Sequence, residues 1–204
     1  NQHAMNPITP LVFLLFCSLS LYAADLSDLT YTTIGGEVTI TDCDRGATGE
    51  LFIPDKVEGN PVTSIGDEAF SRCFGLTNIT ISNGVTSIGA SAFWSCSSLT
   101  SIAIPESVTS IGQSAFSGCT TLKSITIPER VTSIEDYTFR DCNSLTSITI
   151  PDSVTSIGQS AFSDCTALTR ITLQGNAPTL GWDVFFNVPK GAKAYVDEKF
   201  AKSF

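Results

Sequence analysis

Few side chains in this 204-residue sequence could carry acid–base or nucleophilic chemistry. The single histidine is His3, which precedes the first methionine, Met5. Ser-His-Asp and Cys-His arrangements, histidine-ligated zinc and most general bases near neutral pH require an imidazole. The carboxylates offer no replacement, because adjacent pairs such as Asp67-Glu68 fall in predicted turns and no spacing places two of them across a cleft. The sequence therefore predicts that the protein is not an enzyme, with carboxylate-based catalysis as a remote alternative.

Cysteine is the other reactive residue type, and five of the seven cysteines recur every 23 residues: Cys73, Cys96, Cys119, Cys142 and Cys165. The chain contains no C-x-x-C pair, which disfavours zinc. Side chains that repeat with this period point the same way into a core, so we expect small buried thiols that fill a turn. A bridge between Cys43 and Cys73 is the one disulfide to test, because it would tie the N-terminal segment to the first repeat. No metal ion or cofactor is predicted.

The charge balance limits the classes of partner. The formal net charge is −9, and the 11 lysine and arginine residues form no cluster or stripe. A nucleic acid would have to approach a negative surface, so nucleic acid is not an expected partner. Four acidic side chains and one asparagine also follow the predicted strands in a regular row, but no calcium-loop signature accompanies them, and we interpret the row as a solvated acidic rim: Asp55, Asn83, Glu106, Glu129 and Asp152.

The 23-residue interval belongs to whole repeats rather than to cysteine alone. Four units align without gaps, at 76–98, 99–121, 122–144 and 145–167. A fifth unit with an insertion precedes them, and a sixth that lacks the cysteine follows. Each unit opens with L-x-x-I-x-I, whose alternation predicts a short strand that a proline usually ends. V-x-x-I-G and A-F-x-x-C follow, and the glycine is expected to free the backbone for a turn.

A single repeat buries too little apolar surface to fold alone, so the repeats must stack. Stacking superimposes equivalent residues and pairs the short strands into parallel sheets. We therefore predict a leucine-rich-repeat solenoid, β-rich within the α/β horseshoe class, with about six stacked coils, where a coil is one 23-residue repeat. The central ladder of this core is expected to be the six phenylalanines of the A-F blocks: Phe70, Phe93, Phe116, Phe139, Phe162 and Phe185.

The two ends of the array need different segments. Residues 1–24 have the shape of an export signal, with an uncleaved N-terminal anchor as the alternative and the only expected membrane contact. Residues 25–50 are predicted to form an N-terminal cap hairpin that turns at Gly35-Gly36. The repeats occupy 51–180, and 181–204 is predicted to be a C-terminal cap, because bulky side chains appear where the repeat fades.

The repeat resembles the BspA-type leucine-rich repeats, whose units read L-x-x-I-x-I-P-x-x-V-x-x-I-G-x-x-A-F-x-x-C. The resemblance covers about residues 30 to 196. It implies a curved solenoid that is secreted or exposed at a cell surface or in the periplasm, and some relatives are adhesins. The array is far shorter than the large adhesins, so the resemblance transfers the architecture and leaves the ligand open.

In such a solenoid the outward positions of the first strand form the concave face, the usual contact surface. Here these positions are mostly small and polar. We predict a binding or adhesion module for protein or glycan, with a self-assembling structural protein of the envelope as the alternative. The candidate contact residues are Thr77, Asn78, Thr80, Thr100, Ser101, Lys123, Ser124, Thr126, Thr146, Ser147, Thr149, Arg170 and Thr172.

Overall fold

The structure is a computed structural model that describes residues 24–196, and nearly all of its regular structure is short strands. A single 3-10 turn at Leu26–Asp28 precedes them. Residues 1–23 and 197–204 lie outside the described part, and with them most of the predicted export segment and the end of the predicted C-terminal cap. The strands are β1 (Leu29–Ile34), β2 (Glu37–Cys43), β3 (Thr48–Ile53), β4 (Lys56–Val57), β5 (Asn60–Ile65), β6 (Gly75–Ile81), β7 (Ser87–Ile88), β8 (Ser101–Ala103), β9 (Ser110–Ile111), β10 (Ser133–Ile134), β11 (Ser147–Ile150), β12 (Ser156–Ile157), β13 (Arg170–Leu173), β14 (Thr179–Leu180) and β15 (Lys193–Val196).

Most coils contribute one strand to each of two sides of the solenoid, and coil 122–144 contributes only β10. The L-x-x-I-x-I strands pair in the order β3-β6-β8 and β11-β13-β15, and the V-T-S-I strands in the order β2-β5-β7-β9 and β10-β12-β14. Across both sides the pairing between repeat strands is parallel, and equivalent residues face each other, as Ile148 faces Ile171. The predicted solenoid is confirmed, with about seven turns at the expected spacing.

The third side, which we call the turn side, is formed by the A-F-x-x-C blocks. Two residues in each of these blocks have left-handed backbone, such as Ser91 (φ 54°) and Ser95 (φ 58°). Every second N–H group of this segment points toward the next coil, so Phe93 N donates to Ala115 O at 2.8 Å. Hydrogen bonds thus join neighbouring coils on the turn side as well, where no strand forms.

The core is a column of superimposed side chains. Successive phenylalanine rings stack with centroids 5.0–5.6 Å apart and planes within 11° of parallel. The first five rings are fully buried, whereas Phe185 in the last coil is only partly buried. The isoleucines of the strands point inward, and the threonines between them point outward: Ile148 and Ile150 are buried, and Thr149 is exposed.

The N-terminal end is covered by the predicted hairpin. Strands β1 and β2 pair antiparallel, and the turn between them has left-handed backbone at Gly35 (φ 62°) and Gly36 (φ 84°). Strand β2 then pairs in parallel with β5 of the first coil. The hairpin therefore extends one sheet of the solenoid and covers the apolar end of the stack.

The C-terminal end is open in the part of the chain that the structure describes. Strand β15 pairs in parallel with β13, so residues 193–196 continue the sheet instead of closing it. Trp182 and Phe186 are 82% and 60% exposed. An apolar cavity of about 230 Å³ also lies in the last coils, and its lining includes Leu173, Leu180 and Phe185. Within residues 24–196, no helix has the length and apolar character needed to cross a bilayer.

The glycines that follow the V-T-S-I strands differ in role from the prediction. Their backbone is not left-handed, so they do not serve to form a turn. A Cβ on Gly112 would lie 2.6 Å from the backbone nitrogen of Ala90 in the preceding coil, and one on Gly158 would lie 2.5 Å from Asp136 N. These glycines are required because the backbones of neighbouring coils approach so closely.

Candidate interaction surface

We call the outward side chains of the L-x-x-I-x-I strands the polar strand face. Every candidate contact residue predicted from the sequence is at least partly exposed. Strand register sorts them into rows, one of which runs from Thr126 through Thr149 and Thr172 to Tyr195. The exposed side chains of this face therefore form an ordered array on a rigid sheet.

The scaffold uses some of these hydroxyls and leaves others available. At the start of the strands, Thr100 Oγ1 donates to Thr77 O at 3.0 Å and so joins two coils. Further along the strands, the side chains of Thr80, Thr126 and Thr149 make no hydrogen bond within the described residues. The middle of the face is therefore a surface of small hydroxyls that can both donate and accept.

The C-terminal end of the polar strand face carries an aromatic and basic pair. The Arg170 guanidinium lies 4.3 Å from the ring centroid of Tyr195, and Lys193 neighbours Arg170 in the register. Arginine and tyrosine are enriched among residues that dominate binding energy. From the sequence, Tyr195 was predicted to lie in the C-terminal cap, because no repeat signature marks residues 193–196. The alternation of apolar and polar character in Ala194-Tyr195-Val196 is the signal that could have indicated a further strand.

The N-terminal end of the face carries an acidic and aromatic pair that the sequence analysis missed. Strand β3 starts at Thr48, three residues before the leucine that was taken to open the first coil. Its register places Glu50 beside Asn78 and Phe52 beside Thr80. Phe52 is 60% exposed, at the edge of a groove of about 480 Å³.

The turn side carries further exposed aromatic and basic groups. The Arg72 guanidinium lies 4.7 Å from the ring centroid of Trp94, and that of Arg140 lies 5.9 Å from Tyr137. The two pairs are separated from each other along the stack, and the equivalent positions in other coils are often serine. They do not form a continuous surface of the kind that the polar strand face provides.

The cysteine ladder is structural. The thiol of Cys119 donates to Phe93 O at 3.2 Å, and that of Cys142 donates to Phe116 O at the same distance. Burial raises the pKa of Cys119 to about 12, so the reactive thiolate is scarce near neutral pH. Cys43 and Cys73 also hold free thiols in this structure, so the bridge considered for them is not formed.

The acidic side chains do not form a metal site in the described part of the chain. Among residues 24–196, no group of three or more histidine, cysteine or carboxylate side chains could hold a metal ion. Some carboxylates instead bond to the neighbouring coil, as Asp67 Oδ1 accepts from Ala90 N at 2.7 Å and Asp136 Oδ1 from Gln159 N at 2.6 Å. In the rim, Glu106 Oε2 accepts from Glu129 N at 3.1 Å.

Two solved structures share this architecture. The leucine-rich repeat protein of T. pallidum is 25% identical with a TM-score of 0.73, and the match covers 83% of this chain and 92% of that one. A leucine-rich cell surface protein from Faecalibacterium prausnitzii A2-165 is 28% identical with a TM-score of 0.66, and the match covers 88% of this chain. The match covers 56% of that longer protein, so this chain spans little more than half of it.

The family assignment rests on the repeats themselves. No curated protein matches the chain. A family model described as BspA type leucine-rich repeat region matches in six copies, over residues 56–143 and 86–202. These ranges cover well over half of the sequence and coincide with the stacked coils. The chain therefore belongs to the BspA-type leucine-rich repeat family.

Proposed function

We propose that this protein is a non-catalytic binding module, secreted or displayed at a cell surface, that holds a protein or glycan ligand on its polar strand face. Membership of the BspA-type family supports a scaffold for interaction. The similarity to a cell surface protein of Faecalibacterium prausnitzii supports an extracellular location. The family does not specify the ligand, so the argument for the surface rests on the geometry of this chain.

The observation that carries the proposal is the contrast between the middle and the ends of the polar strand face. The middle presents small side chains such as Thr126 and Thr149, which the scaffold does not use. The ends present exposed aromatic rings with a charged neighbour, Phe52 with Glu50 and Tyr195 with Arg170. A few large anchors on a flat polar surface are the usual anatomy of a protein-binding patch.

The same geometry supports a role without catalysis. The polar groups of the face point outward from one side of a sheet and do not converge on a common point. The buried thiols lie behind the phenylalanine column and donate to backbone carbonyls. A catalytic site would bring a nucleophile or base within hydrogen-bond reach of a group that orients it.

A binding array tests the proposed function. The purified full chain is applied to immobilised extracellular matrix proteins and surface glycans, together with the variants Arg170→Ala and Tyr195→Ala. We expect at least one ligand to bind, and each variant to lose affinity by more than about fivefold, since both residues are of the hot-spot type. The matched control is Thr155→Ala, an exposed residue on the V-T-S-I side, which should change nothing. The absence of any ligand, or equal binding by all variants, would contradict the proposal.

Location is tested separately. The tagged chain is expressed in a bacterial host, and cytoplasmic, periplasmic, envelope and medium fractions are probed for it. We expect the protein outside the cytoplasm, and N-terminal sequencing should distinguish cleavage near Ala24 from retention of the apolar segment. A chain that stays in the cytoplasm with an intact N-terminus would contradict the extracellular part of the proposal.

Self-assembly in the envelope is a second candidate, favoured by the open C-terminal end. Leu180, Trp182 and Phe186 are each more than half exposed there. Exposed apolar patches commonly mark contacts between proteins. Light scattering across a concentration series tests this candidate: a mass that increases with concentration and is restored to the monomer by Trp182→Ser supports it, and a monomer throughout contradicts it.

A further inference from the structure

We infer that Glu50 and Phe52 form a docking site for a lysine or arginine side chain of a basic protein segment. The inference rests on the proposed function and specifies where one ligand group binds and what its chemistry is. A cationic protein partner, and not a neutral or acidic glycan, would then contact the N-terminal end of the polar strand face.

The first observation is that Phe52 departs from the pattern of its row. The next two coils carry Thr80 and Ala103 at the equivalent outward position. Phe52 leaves 60% of its surface exposed, although nothing in the solenoid requires an aromatic residue there. The small side chain of Ala103 deepens the groove of about 480 Å³ that Phe52 borders. One ring face is therefore available to a ligand that enters the groove.

The second observation is that the neighbouring carboxylate is held in place and is not neutralised. Asn78 Nδ2 donates to Glu50 Oε1 at 3.3 Å, and Asn78 Oδ1 accepts at 2.9 Å from Thr100 Oγ1, whose single proton is shared with Thr77 O. Within residues 24–196, no cationic side chain forms an ion pair with Glu50. The Glu50 carboxylate can therefore still accept a hydrogen bond from a cation. Its bond to the Asn78 amide, which Thr100 holds in turn, reduces the entropy that the Glu50 side chain loses when a ligand binds.

The spacing of the two groups fits a long cationic side chain. Residues two apart on a strand lie about 6.6 Å apart and project from the same face. A lysine or arginine side chain can lay its aliphatic stem or its charged end over an aromatic ring while it bonds to a carboxylate. Glu50 and Phe52 offer both contacts at this separation on one strand.

The third observation is the charge of the surrounding surface. Residues 24–68 contain ten acidic and only two basic side chains. This end of the solenoid therefore attracts a basic segment at long range and repels an acidic polymer. The same residues exclude a polyanionic glycan as the preferred ligand of this groove.

The strand that carries both residues is an edge strand of its sheet within the described residues. Strand β3 pairs with β6 on one side. On its other side, Ala24 N donates to Thr48 O at 2.9 Å. An extended segment can lie along an edge strand of this kind and place alternate side chains on one face. A basic segment with alternate lysines matches this geometry.

A nuclear magnetic resonance titration of the isotope-labelled full chain tests the inference. The probe is a heptapeptide with two lysines at alternate positions, and its comparison is the same peptide acetylated at both Nε atoms. We expect the lysine peptide to shift the amide signals of residues 50–52, 78–80 and 101–103, and the acetylated peptide to lose most of the effect. Glu50→Gln and Phe52→Ala should each raise the dissociation constant about three- to fivefold.

Matched variants separate this site from general attraction to an acidic protein. Glu129→Gln removes the same charge from another exposed position, and Phe74→Ala removes another half-exposed ring on the turn side; both should bind the peptide as the unmodified chain does. Equal weakening by Glu129→Gln, or equal binding of the acetylated peptide, overturns the inference. If the array ligand binds but the lysine peptide shifts no signal near Glu50, the inference fails and the proposed function stands.

Discussion

Glu135 occupies the position in its coil that Gly112 occupies one coil earlier, and both sheets are interrupted between these two coils. Strand β9 pairs with β7 and β10 pairs with β12, but β9 and β10 do not pair with each other. On the other side, β8 of the Gly112 coil has no partner strand in the Glu135 coil, which is joined to the following coil through a bridge from Thr126 to Thr149. The turn side stays connected, since Phe116 N donates to Thr138 O at 2.9 Å. We infer that the Cβ of Glu135 prevents the pairing of β9 with β10, because neighbouring coils approach too closely at the equivalent glycines, such as Gly112 and Gly158, to admit one.

Adding a methyl group at Gly112 should therefore destabilise the solenoid. A Cβ there would lie 2.6 Å from Ala90 N, and backbone atoms cannot rotate away as a flexible side chain can. We expect Gly112→Ala to lower the free energy of unfolding by about 1–3 kcal/mol in urea denaturation, the usual cost of overpacking. The control is Gly191→Ala, where a Cβ would meet no atom within 4 Å; its stability should change by less than about 1 kcal/mol. Equal losses at the two sites would contradict the close-approach explanation.

The reverse substitution should restore pairing at the interrupted junction. In the next coil, Thr155 N donates to Thr132 O at 2.9 Å and Gly158 N donates to Ile134 O at 2.7 Å. We expect Glu135→Gly to allow the equivalent bonds one coil earlier and to slow hydrogen exchange at residues 132–135.

The control for this substitution separates the Cβ from the charge. Glu135→Ala removes the carboxylate and keeps the Cβ, so its exchange rates at residues 132–135 should match those of the unmodified chain. If Glu135→Ala slowed exchange as much as Glu135→Gly, the carboxylate rather than the Cβ would be the cause.

The phenylalanine column should carry much of the stability of the array. Phe116 is fully buried between rings whose centroids lie 5.3 and 5.6 Å away. Phe116→Ala should lower the free energy of unfolding by about 3–5 kcal/mol, because it leaves a cavity in the centre of the stack. Thr149→Ala, on the exposed face, should change it by less than about 0.5 kcal/mol. Urea unfolding of both variants is the measurement, and similar losses would show that the inward and outward faces are wrongly assigned.

The buried thiols should make the protein less stable at alkaline pH. Burial raises the pKa of Cys119 and of Cys165 to about 12, against about 8.5 for an unfolded cysteine. Below about pH 8.5 both states keep the proton, and stability does not depend on these groups. Between about 8.5 and 12 only the unfolded state ionises, so each thiol lowers the free energy of unfolding by up to ~1.4 kcal/mol per pH unit.

The contribution of one thiol can be isolated by substitution. Cys119→Ser keeps a donor for Phe93 O and does not titrate in this range. Urea midpoints between pH 8 and 11 should fall less steeply for this variant than for the unmodified chain. Parallel slopes would mean that Cys119 ionises equally in both states and is not protected by the core.

The repeat period made the fold predictable, because it identifies residues that must share an environment. From the 23-residue spacing, the inward isoleucines and the phenylalanine column follow by elementary packing arguments. The hairpin at Gly35-Gly36 follows from its turn residues instead. The role of Gly112 did not follow, since it depends on a distance between coils that periodicity does not contain. The left-handed backbone at positions such as Ser91 and Ser95 could not be predicted either, because serine has no particular preference for that conformation.

The candidate surface was only half predictable for the same reason. Its central threonines repeat with the coil, but the anchors at its ends do not. Glu50 precedes the first repeat, Phe52 lies at the start of that irregular unit, and Tyr195 follows the last repeat. The 23-residue repeat cannot predict the position of residues that do not repeat. In this chain those residues are also the ones that could make the surface selective for one ligand.

Distances between spin labels along the polar strand face test most directly whether equivalent residues of successive coils stack on one another. One label at Thr80 is combined with a second at Thr126, Thr149 or Thr172, each introduced through cysteine at an exposed position while the buried native thiols stay unlabelled. With coils about 4.8 Å apart, the Cα separations should be about 10, 14 and 19 Å, a constant increment for every 23 residues. Electron paramagnetic resonance that reports this even progression supports the solenoid and its face. Distances that do not increase by equal steps would contradict it.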